Sequence, residues 1–231
     1  MTTSNTTIFE LSRDNIIAAA MRKCGVLAKG ASPDAEDLTN GMQALNALVS
    51  LYQTEGMPLW KRTQYSLALV DGTNTYTIGV GQTTNTAFPL KVHSAVVRDS
   101  SGSAQEVIQL DRTAFNLLNT SSEGKPVQFT YQPFVNYGVI KVWPTPDTSY
   151  TMEVTYTKPV DGYTAASETP DFPQEWQNAL IYGLAVLLAP EYGIPLNDRN
   201  VLEKQAEKYL NIAKDFNFEN TSVFMQPNRD M

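Results

Sequence analysis

Apolar side chains recur with a helical period at both ends of this chain and alternate with polar ones in its middle. Near the start, two apolar stripes follow the 3.6-residue period: Ile16, Ile17, Ala20, Met21 and Cys24, then Leu38, Met42, Leu45, Leu48, Val49 and Tyr52. Gly25 follows the first stripe, where a left-handed residue commonly ends a helix. Before the second stripe, Ser32 is a candidate N-cap and Pro33 suits a first helical position. The pattern predicts two helices packed as an antiparallel pair.

From about Arg62 the period changes to that of strands. Seven short segments are β-branched or alternating and are separated by turn signals: TQYSLALV, NTYTIGV, PLKVHSAVVRD, AQEVIQL, PVQFTYQP, VIKVWPTP and YTMEVTYTKPV. DRTAFNLLNTS interrupts them as a short helix with Asp111 as its cap. Parallel strands need a long crossover, usually a helix, so seven strands joined mostly by turns favour a small antiparallel sandwich or barrel.

Helical periodicity returns after Pro173. One segment places Trp176, Leu180, Gly183, Leu184, Leu187 and Leu188 on one face and is apolar almost all round, so it should be the most buried helix. A last helix is predicted from near Asn197. The whole chain is therefore predicted to be α+β, a bundle of about four helices with an inserted β unit. The predicted parts are a helical pair (1–61), the β domain (62–160), a second helical pair (161–215) and a C-terminal arm (216–231).

Composition narrows the class of protein. An apolar content of 42% with 10% aromatic residues is typical of a folded globular chain. The sequence lacks the run of about eighteen apolar residues that a membrane helix needs, and its polar start is unlike a secretory signal. No membrane association is expected. Cys24 is the single cysteine, so no intrachain disulfide can form, and assembly in the cytoplasm is expected.

The net charge of −7 is concentrated near the C-terminus. Residues 161–231 hold 5 basic and 11 acidic side chains, whereas the rest of the chain is nearly balanced. A protein that grips nucleic acid needs cations to displace phosphate counterions, so tight binding of DNA is not expected. An acidic surface past which DNA slides is compatible with this charge.

Residues that could perform chemistry are few. With one histidine, His93, and one cysteine, Cys24, no zinc or iron site can be completed from these ligands, and no metal or cofactor is predicted. His93 is interpreted as a strand residue and Cys24 as a small core residue. Three carboxylates, Glu168, Asp171 and Glu175, cluster near a helix start, where acids favour the helix dipole. Two alternatives stay open: a peptidoglycan hydrolase that uses this cluster, and a carbohydrate- or receptor-binding tail module that uses the aromatic residues of FTYQPFVNYGVIKVWP.

The order of three motifs resembles phage head-to-tail connector proteins. The helical opening DNIIAAAMRKCGVLAKGASPDAEDLTNGMQALNALVSLYQTEGMPLW is similar to that of adaptors known as packaged-DNA stabilisation or tail accessory factors. The β segment EGKPVQFTYQPFVNYGVIKVWPTPDTSYTMEVTYTKPV resembles that of tail tubular protein A relatives, and DFPQEWQNALIYGLAVLLAPEYG resembles the helix that follows it.

This resemblance implies a structural virion protein without catalytic residues. It implies a homo-oligomeric ring, typically a dodecamer, added below the portal after DNA packaging in the host cytoplasm. The ring would extend the DNA channel, help to retain the packaged DNA, let it pass without sequence-specific binding, and offer a platform to a downstream tail or nozzle protein. Acidic residues are then candidates for the channel lining: Glu168, Asp171, Glu175, Glu191 and Asp198.

Large apolar residues persist in the last stretch of the chain, beyond the helical pattern that fades near Phe216. Termini that are not tied down usually lack such residues. Two explanations stand: the segment folds back on the helices as a lid, or it is an arm that orders on binding to the portal or a neighbouring subunit. The resemblance favours a portal-docking arm. Its predicted residues are Phe216, Phe218, Val223, Phe224, Met225, Pro227 and Arg229.

Overall fold

The computed structural model describes residues 10–54, 61–119, 121–169 and 171–216. In chain order the described elements are α1 (Arg13–Cys24), α2 (Ala35–Thr54), β1 (Arg62–Leu69), β2 (Thr75–Gly79), β3 (Lys91–Arg98), β4 (Ala104–Gln109), α3 (Arg112–Asn116), β5 (Gln128–Pro133), β6 (Tyr137–Trp143), β7 (Tyr150–Thr157), α4 (Gln177–Leu188) and α5 (Leu196–Phe216). The predicted α+β class is confirmed. The chain divides into a helical unit, Met1–Leu59 with Asp161–Met231, and a β unit, Trp60–Val160.

Helix α4 is the centre of the helical unit, because it contacts α1, α2 and α5. Its buried positions cover most of its circumference: Gln177, Ala179, Leu180, Ile181, Gly183, Leu184, Ala185 and Leu188. Leu187, predicted on the same face, is instead exposed. Gly183 permits the close approach of α2, since a Cβ at this position would collide with the Tyr52 hydroxyl and crowd Leu48. An apolar helix of this kind is stable only when several neighbours cover it.

The helix ends follow local chemistry, with some differences from the sequence prediction. Gly25 ends α1 in the left-handed conformation at φ 77°, as expected. Helix α2 begins after Asp34 rather than at Ser32, because the Asp34 carboxylate accepts a bond of 2.8 Å from the Asp37 N–H. Pro173 precedes a 3₁₀ turn, Gln174–Trp176, that leads into α4.

All seven predicted strands are present, but they form one sheet and neither a sandwich nor a closed barrel. The strand order is β1-β7-β3-β4-β5-β6-β2. Five of the six pairs are antiparallel, and β4 pairs with β5 in parallel, with Ile108 opposite Gln128. The purely antiparallel prediction is therefore wrong at one position. The short helix α3 lies in the crossover that a parallel pair requires.

The inner face of the sheet holds the core of the β unit. The buried residues are Leu67, Leu69, Tyr76, Val92, Ala95, Val97, Val107, Phe129, Ile140, Val142, Met152, Val154 and Tyr156. They come from all seven strands and alternate with outward-facing residues, as the side-chain period of two requires. A single sheet that encloses so many apolar residues on one face has to curl around them.

The two ends of the β unit lie side by side. Arg62 at the start of β1 is opposite Thr157 at the end of β7. The Lys158 N–H donates to the Lys61 carbonyl over 3.1 Å. The chain thus enters and leaves the β unit at adjacent positions, which is the geometry of an insertion between two helical segments.

Replacement of Trp176 by Ala should destabilise the helical unit by about 3–5 kcal/mol, because it removes a large buried aromatic side chain. Trp176 is 2% exposed, and its ring lies 6.0 Å from that of Tyr52 and 5.7 Å from that of Phe172. Trp176→Phe, which keeps a ring, is the control and should lose less. Urea unfolding followed by circular dichroism measures both. Equal midpoints for wild type and Trp176→Ala would contradict the packing described here.

Candidate functional site

A loop between Asp161 and Glu168 is held against the first two helices within the helical unit. The Asn46 side chain makes two bonds with the backbone of Tyr163, accepting from its N–H at 2.9 Å and donating to its carbonyl at 3.2 Å. Arg13 is nearly buried and donates to the Thr164 carbonyl at 3.4 Å. Neither Asn46 nor Arg13 was singled out from the sequence, because a polar residue within a helical stripe gives no sign of a partner more than a hundred residues away.

Glu168 organises this loop. Its carboxylate accepts from the Thr164 N–H at 2.6 Å, the Thr164 hydroxyl at 2.9 Å and the Ala165 N–H at 2.9 Å. Its backbone carbonyl accepts from the Arg13 N–H at 2.8 Å. The bonds from Ala165 and Thr164 lower the pKa of the Glu168 carboxyl, since they favour its charged form. Through these contacts Glu168 holds the loop in its conformation and attaches it to the start of α1.

The other four acidic candidates differ in exposure. Asp171 is half-buried, whereas Glu175, Glu191 and Asp198 are exposed. Glu175 lies in the first turn before α4 and Asp198 in the first turn of α5, where a negative charge is favoured by the helix dipole. The structure thus gives three of the five candidates a solvent-facing position.

The two residues considered for metal or nucleophilic chemistry have structural surroundings. The His93 ring lies on β3 with Nε2 2.7 Å from the Thr157 hydroxyl, at an irregularity in the pairing with β7. Cys24 is buried with Sγ 3.2 Å from the Ala185 carbonyl, and burial raises the pKa of its thiol. Within the described ranges no group of three or more His, Cys, Asp or Glu side chains is placed to hold a metal ion.

A shallow groove at one end of the sheet is lined by residues 68–70, 98–100 and 149–151. Its charged groups are engaged with each other or with nearby turns. Arg98 pairs with Glu153 at 2.9 Å, and Asp99 pairs with Lys125 at 3.0 Å. Bonds from Ser101, and then from Lys125, lower the pKa of Asp99 to about 2. This arrangement braces the β3–β4 turn.

The aromatic residues considered for sugar stacking divide between the core and one hairpin tip. Phe129 is buried, and Tyr131 donates from its hydroxyl to the Pro89 carbonyl. At the β5–β6 tip, Phe134 stacks on Tyr137 with ring centroids 5.0 Å apart, and Val135 between them in sequence is 84% exposed. The tip is an apolar projection from a paired hairpin.

Helix α5 has an exposed apolar stripe beside its packed side, which holds Leu202 and Ala213. Val201, Ile212 and Phe216 are 59%, 53% and 66% exposed. Their separations of eleven and four residues are close to whole helical turns, so the three lie on one face. Phe216 ends the described chain at the point where the predicted arm begins. The other predicted arm residues lie outside the described residues: Phe218, Val223, Phe224, Met225, Pro227 and Arg229.

Comparison with protein families identifies the family to which this chain belongs. The family model described as SU10 adaptor protein matches residues 14–229, which is nearly the whole chain. The chain belongs to the SU10 adaptor protein family. The resemblance to phage head-to-tail connector proteins is thereby confirmed, and this SU10 adaptor is a structural component of a virion. None of the described helices has the combination of length and apolar character that crossing a membrane requires.

Comparison with other proteins adds a more distant likeness. No curated protein matches the chain. Among solved structures, the adaptor is similar to a chain described as the neck of an empty GTA particle computed with C6 symmetry. The two are 15% identical, the match covers 78% of this chain and 82% of the other, and the TM-score is 0.25.

Glu168→Gln should lower the stability of the adaptor at neutral pH, because the carboxylate accepts three bonds in its loop and a neutral amide accepts them less strongly. A carboxyl whose pKa is lowered by folding stabilises the fold above its unfolded pKa of about 4.3, and this stability is lost as the pH falls through the folded pKa. The difference between the two proteins should therefore be full near pH 7 and should shrink below about pH 4.

Thermal melting of wild type and Glu168→Gln from neutral to acidic pH measures this difference. Glu175→Gln is the matched control, since the described contacts of Glu175 reach only its neighbour Gln174. A pH-independent difference for Glu168→Gln, or an equal loss in Glu175→Gln, would contradict the role assigned to the loop.

Proposed function

We propose that this adaptor forms a closed ring, typically a dodecamer, directly below the portal. The observation that carries the proposal is the family match over residues 14–229. The ring extends the DNA channel, helps to retain packaged DNA after assembly in the host cytoplasm, and presents a platform to the downstream tail or nozzle protein. Its role is structural and involves no catalytic turnover.

The exposed surfaces of the chain support an assembly role. A closed ring uses heterologous contacts, in which one patch meets a different patch on the neighbour. The stripe of Val201, Ile212 and Phe216 on α5 and the Val135 tip of the β unit are two such different patches. Exposed apolar groups concentrated in this way are typical of interaction sites.

The C-terminal arm is proposed as the portal-docking element. Phe216 is exposed at the end of α5, so the chain leaves the helical unit from its surface. Beyond it, Val223, Phe224 and Met225 are three consecutive large apolar residues. Burial of all three in a portal groove would contribute about 4.5–9 kcal/mol in total, which is comparable to the cost of ordering these three residues. Repetition around the ring adds avidity.

The acidic C-terminal third is proposed to line the channel. Glu175, Glu191 and Asp198 are exposed and can contribute to a lumen that repels the DNA backbone. Glu168 and Asp171 are less exposed, so their contribution is to the field rather than to direct contact. DNA then passes without being bound in a sequence-specific way.

The lining is tested by charge reversal of these three exposed residues to Lys. Particles with the reversed ring should eject DNA more slowly, and added salt should relieve the defect because it screens the attraction to phosphate. Reversal of Glu106, an exposed acid on β4, is the control. Unchanged ejection in the triple variant would place the three carboxylates away from the DNA.

The arm is tested by replacing Val223, Phe224 and Met225 with Ser. Loss of at least about 4 kcal/mol in portal binding, or about a thousandfold in affinity, is expected from three lost anchors. The control replaces Thr221 and Ser222 with Ala and should bind as wild type does. Co-sedimentation with the cognate portal measures binding, and thermal melting should show unchanged stability. Wild-type binding by the Ser variant, or a much lower melting temperature, would contradict the arm and favour the lid.

A further inference from the structure

The two edges of the sheet in the β unit are different. Along β2, the outer edge is covered by its own loop: the Thr84 N–H donates to the Thr77 carbonyl at 3.0 Å, and the Gly79 N–H donates to the Thr84 carbonyl at 3.0 Å. Such covering is one way in which proteins protect a sheet edge from pairing with other chains. The β1 edge has no equivalent cover among the described residues.

The register of β1 shows which of its backbone groups point away from the sheet. The Lys61 carbonyl accepts from the Lys158 N–H on the β7 side. Thr157, opposite Arg62, instead accepts with its carbonyl from the Leu90 N–H on the β3 side. Because bonded and non-bonded pairs alternate in an antiparallel ladder, the N–H and C=O groups of Gln64, Ser66 and Ala68 point outward. At Val70 the open stretch ends, since its N–H donates to the Tyr76 hydroxyl at 2.9 Å.

The open stretch lacks the usual protections of an edge strand. Apart from the exposed Arg62 at its first position, β1 has no charged side chain and no proline. The pairing of β1 with β7 runs through eight residues without a bulge. The side chains of Gln64, Ser66 and Ala68 are all exposed. A long, regular edge whose single charge lies at its first residue is a template for one chemical class of partner, an extended peptide backbone.

We propose that the β1 edge of each adaptor binds residues 2–9 of a neighbouring copy as an added β-strand. This inference rests on the proposed ring. The donated segment and the receiving edge are different surfaces of one chain, so the contact is heterologous, which is the type of contact that a closed ring uses. Pairing of β1 with β1 of a second copy would be two-fold, and pairing of β1 with β2 is blocked by Thr84.

The chemistry of residues 2–9 matches the edge. The segment TTSNTTIF has no charged side chain, and five of its eight residues are β-branched, the type enriched in strands. Threonines opposite Ser66 and Gln64 would form the Thr–Ser and Thr–amide contacts that stabilise neighbouring strands. The segment precedes α1, whose first residue, Arg13, is fixed by its bond to Glu168. Extended, eight residues reach roughly 26 Å, enough to cover the open stretch.

The test compares four full-length proteins on the cognate portal: wild type, Ser66→Pro, Ser66→Ala and a deletion of residues 2–9. Proline removes the outward N–H at a position where the monomer does not use it, and it favours an extended residue before it. Ser66→Ala keeps the N–H. Ring formation is followed by analytical ultracentrifugation, and hydrogen exchange of the Gln64, Ser66 and Ala68 amides is compared between the free chain and the ring.

We expect wild type and Ser66→Ala to form rings. In these rings the three amides should exchange about tenfold more slowly than in the free chain, which is the effect of one net hydrogen bond. Ser66→Pro and the deletion should need an at least about tenfold higher protein concentration to form rings. Their melting temperatures should equal that of wild type. If Ser66→Pro melts lower, Ala68→Pro replaces it, because the Ala68 N–H is also outward.

The contrary outcomes are distinguishable. Rings of Ser66→Pro that form as readily as wild-type rings would overturn the edge contact and leave the ring intact. If the deletion variant forms rings in which the β1 amides are still protected from hydrogen exchange, residues 2–9 are not the segment that binds the edge. If the β1 amides are already protected in the free wild-type chain, and the deletion abolishes this protection, residues 2–9 bind the β1 edge of their own copy. That result would overturn the donation of the segment to a neighbouring copy. Absence of any wild-type ring, with or without portal, would overturn the proposed function itself and the edge contact with it.

Discussion

The burial of α4 is the constraint on which the helical unit depends. A helix that is apolar almost all round has no solvent-facing side and has to be covered by several partners at once. Helices α1 and α2 come from the start of the chain, and α5 comes from its end. Their packing therefore requires that the two terminal segments meet. Gly183 on α4 adds a steric condition, because only the absence of a side chain at this position lets α2 approach α4 closely.

The insertion of the β unit follows from the same constraint. If the helical segments on either side of residues 62–160 have to meet, the segment between them should leave and return at neighbouring points. The bond between Lys61 and Lys158 shows that the β unit does so. Within it, the outermost strand β1 is also the first to be entered, which leaves one of its edges without a neighbouring strand in the described chain. The open edge follows from the place of β1 at one end of the strand order.

The sequence was sufficient to predict local structure and insufficient to predict pairing. The α4 stripe and the seven alternating segments follow from periods that are visible within a few residues. The parallel pair of β4 and β5 was missed because strand order depends on contacts distant in sequence, although the short helix capped by Asp111 was itself predicted. The Asp111 carboxylate accepts from Thr113 and Ala114, as a local cap should.

The candidate site shows the same division. Acidic residues could be found by counting charges, but Glu168 could not be separated from Glu175 until the Thr164 and Ala165 bonds were seen. The contact of Asn46 with Tyr163 could not be predicted, because a single amide side chain in a helix gives no periodic signal that would indicate its partner. The family, in contrast, could be predicted from the order of motifs along the chain, since that order spans most of the sequence.

The most direct measurement of the central claim is single-particle cryo-EM of the neck region in particles that carry this chain. The account predicts a closed ring of copies immediately below the portal, with the DNA channel running through its centre. Density for the chain at a distal tail fibre or outside the channel axis, or a neck that is unchanged in particles lacking the chain, would contradict it.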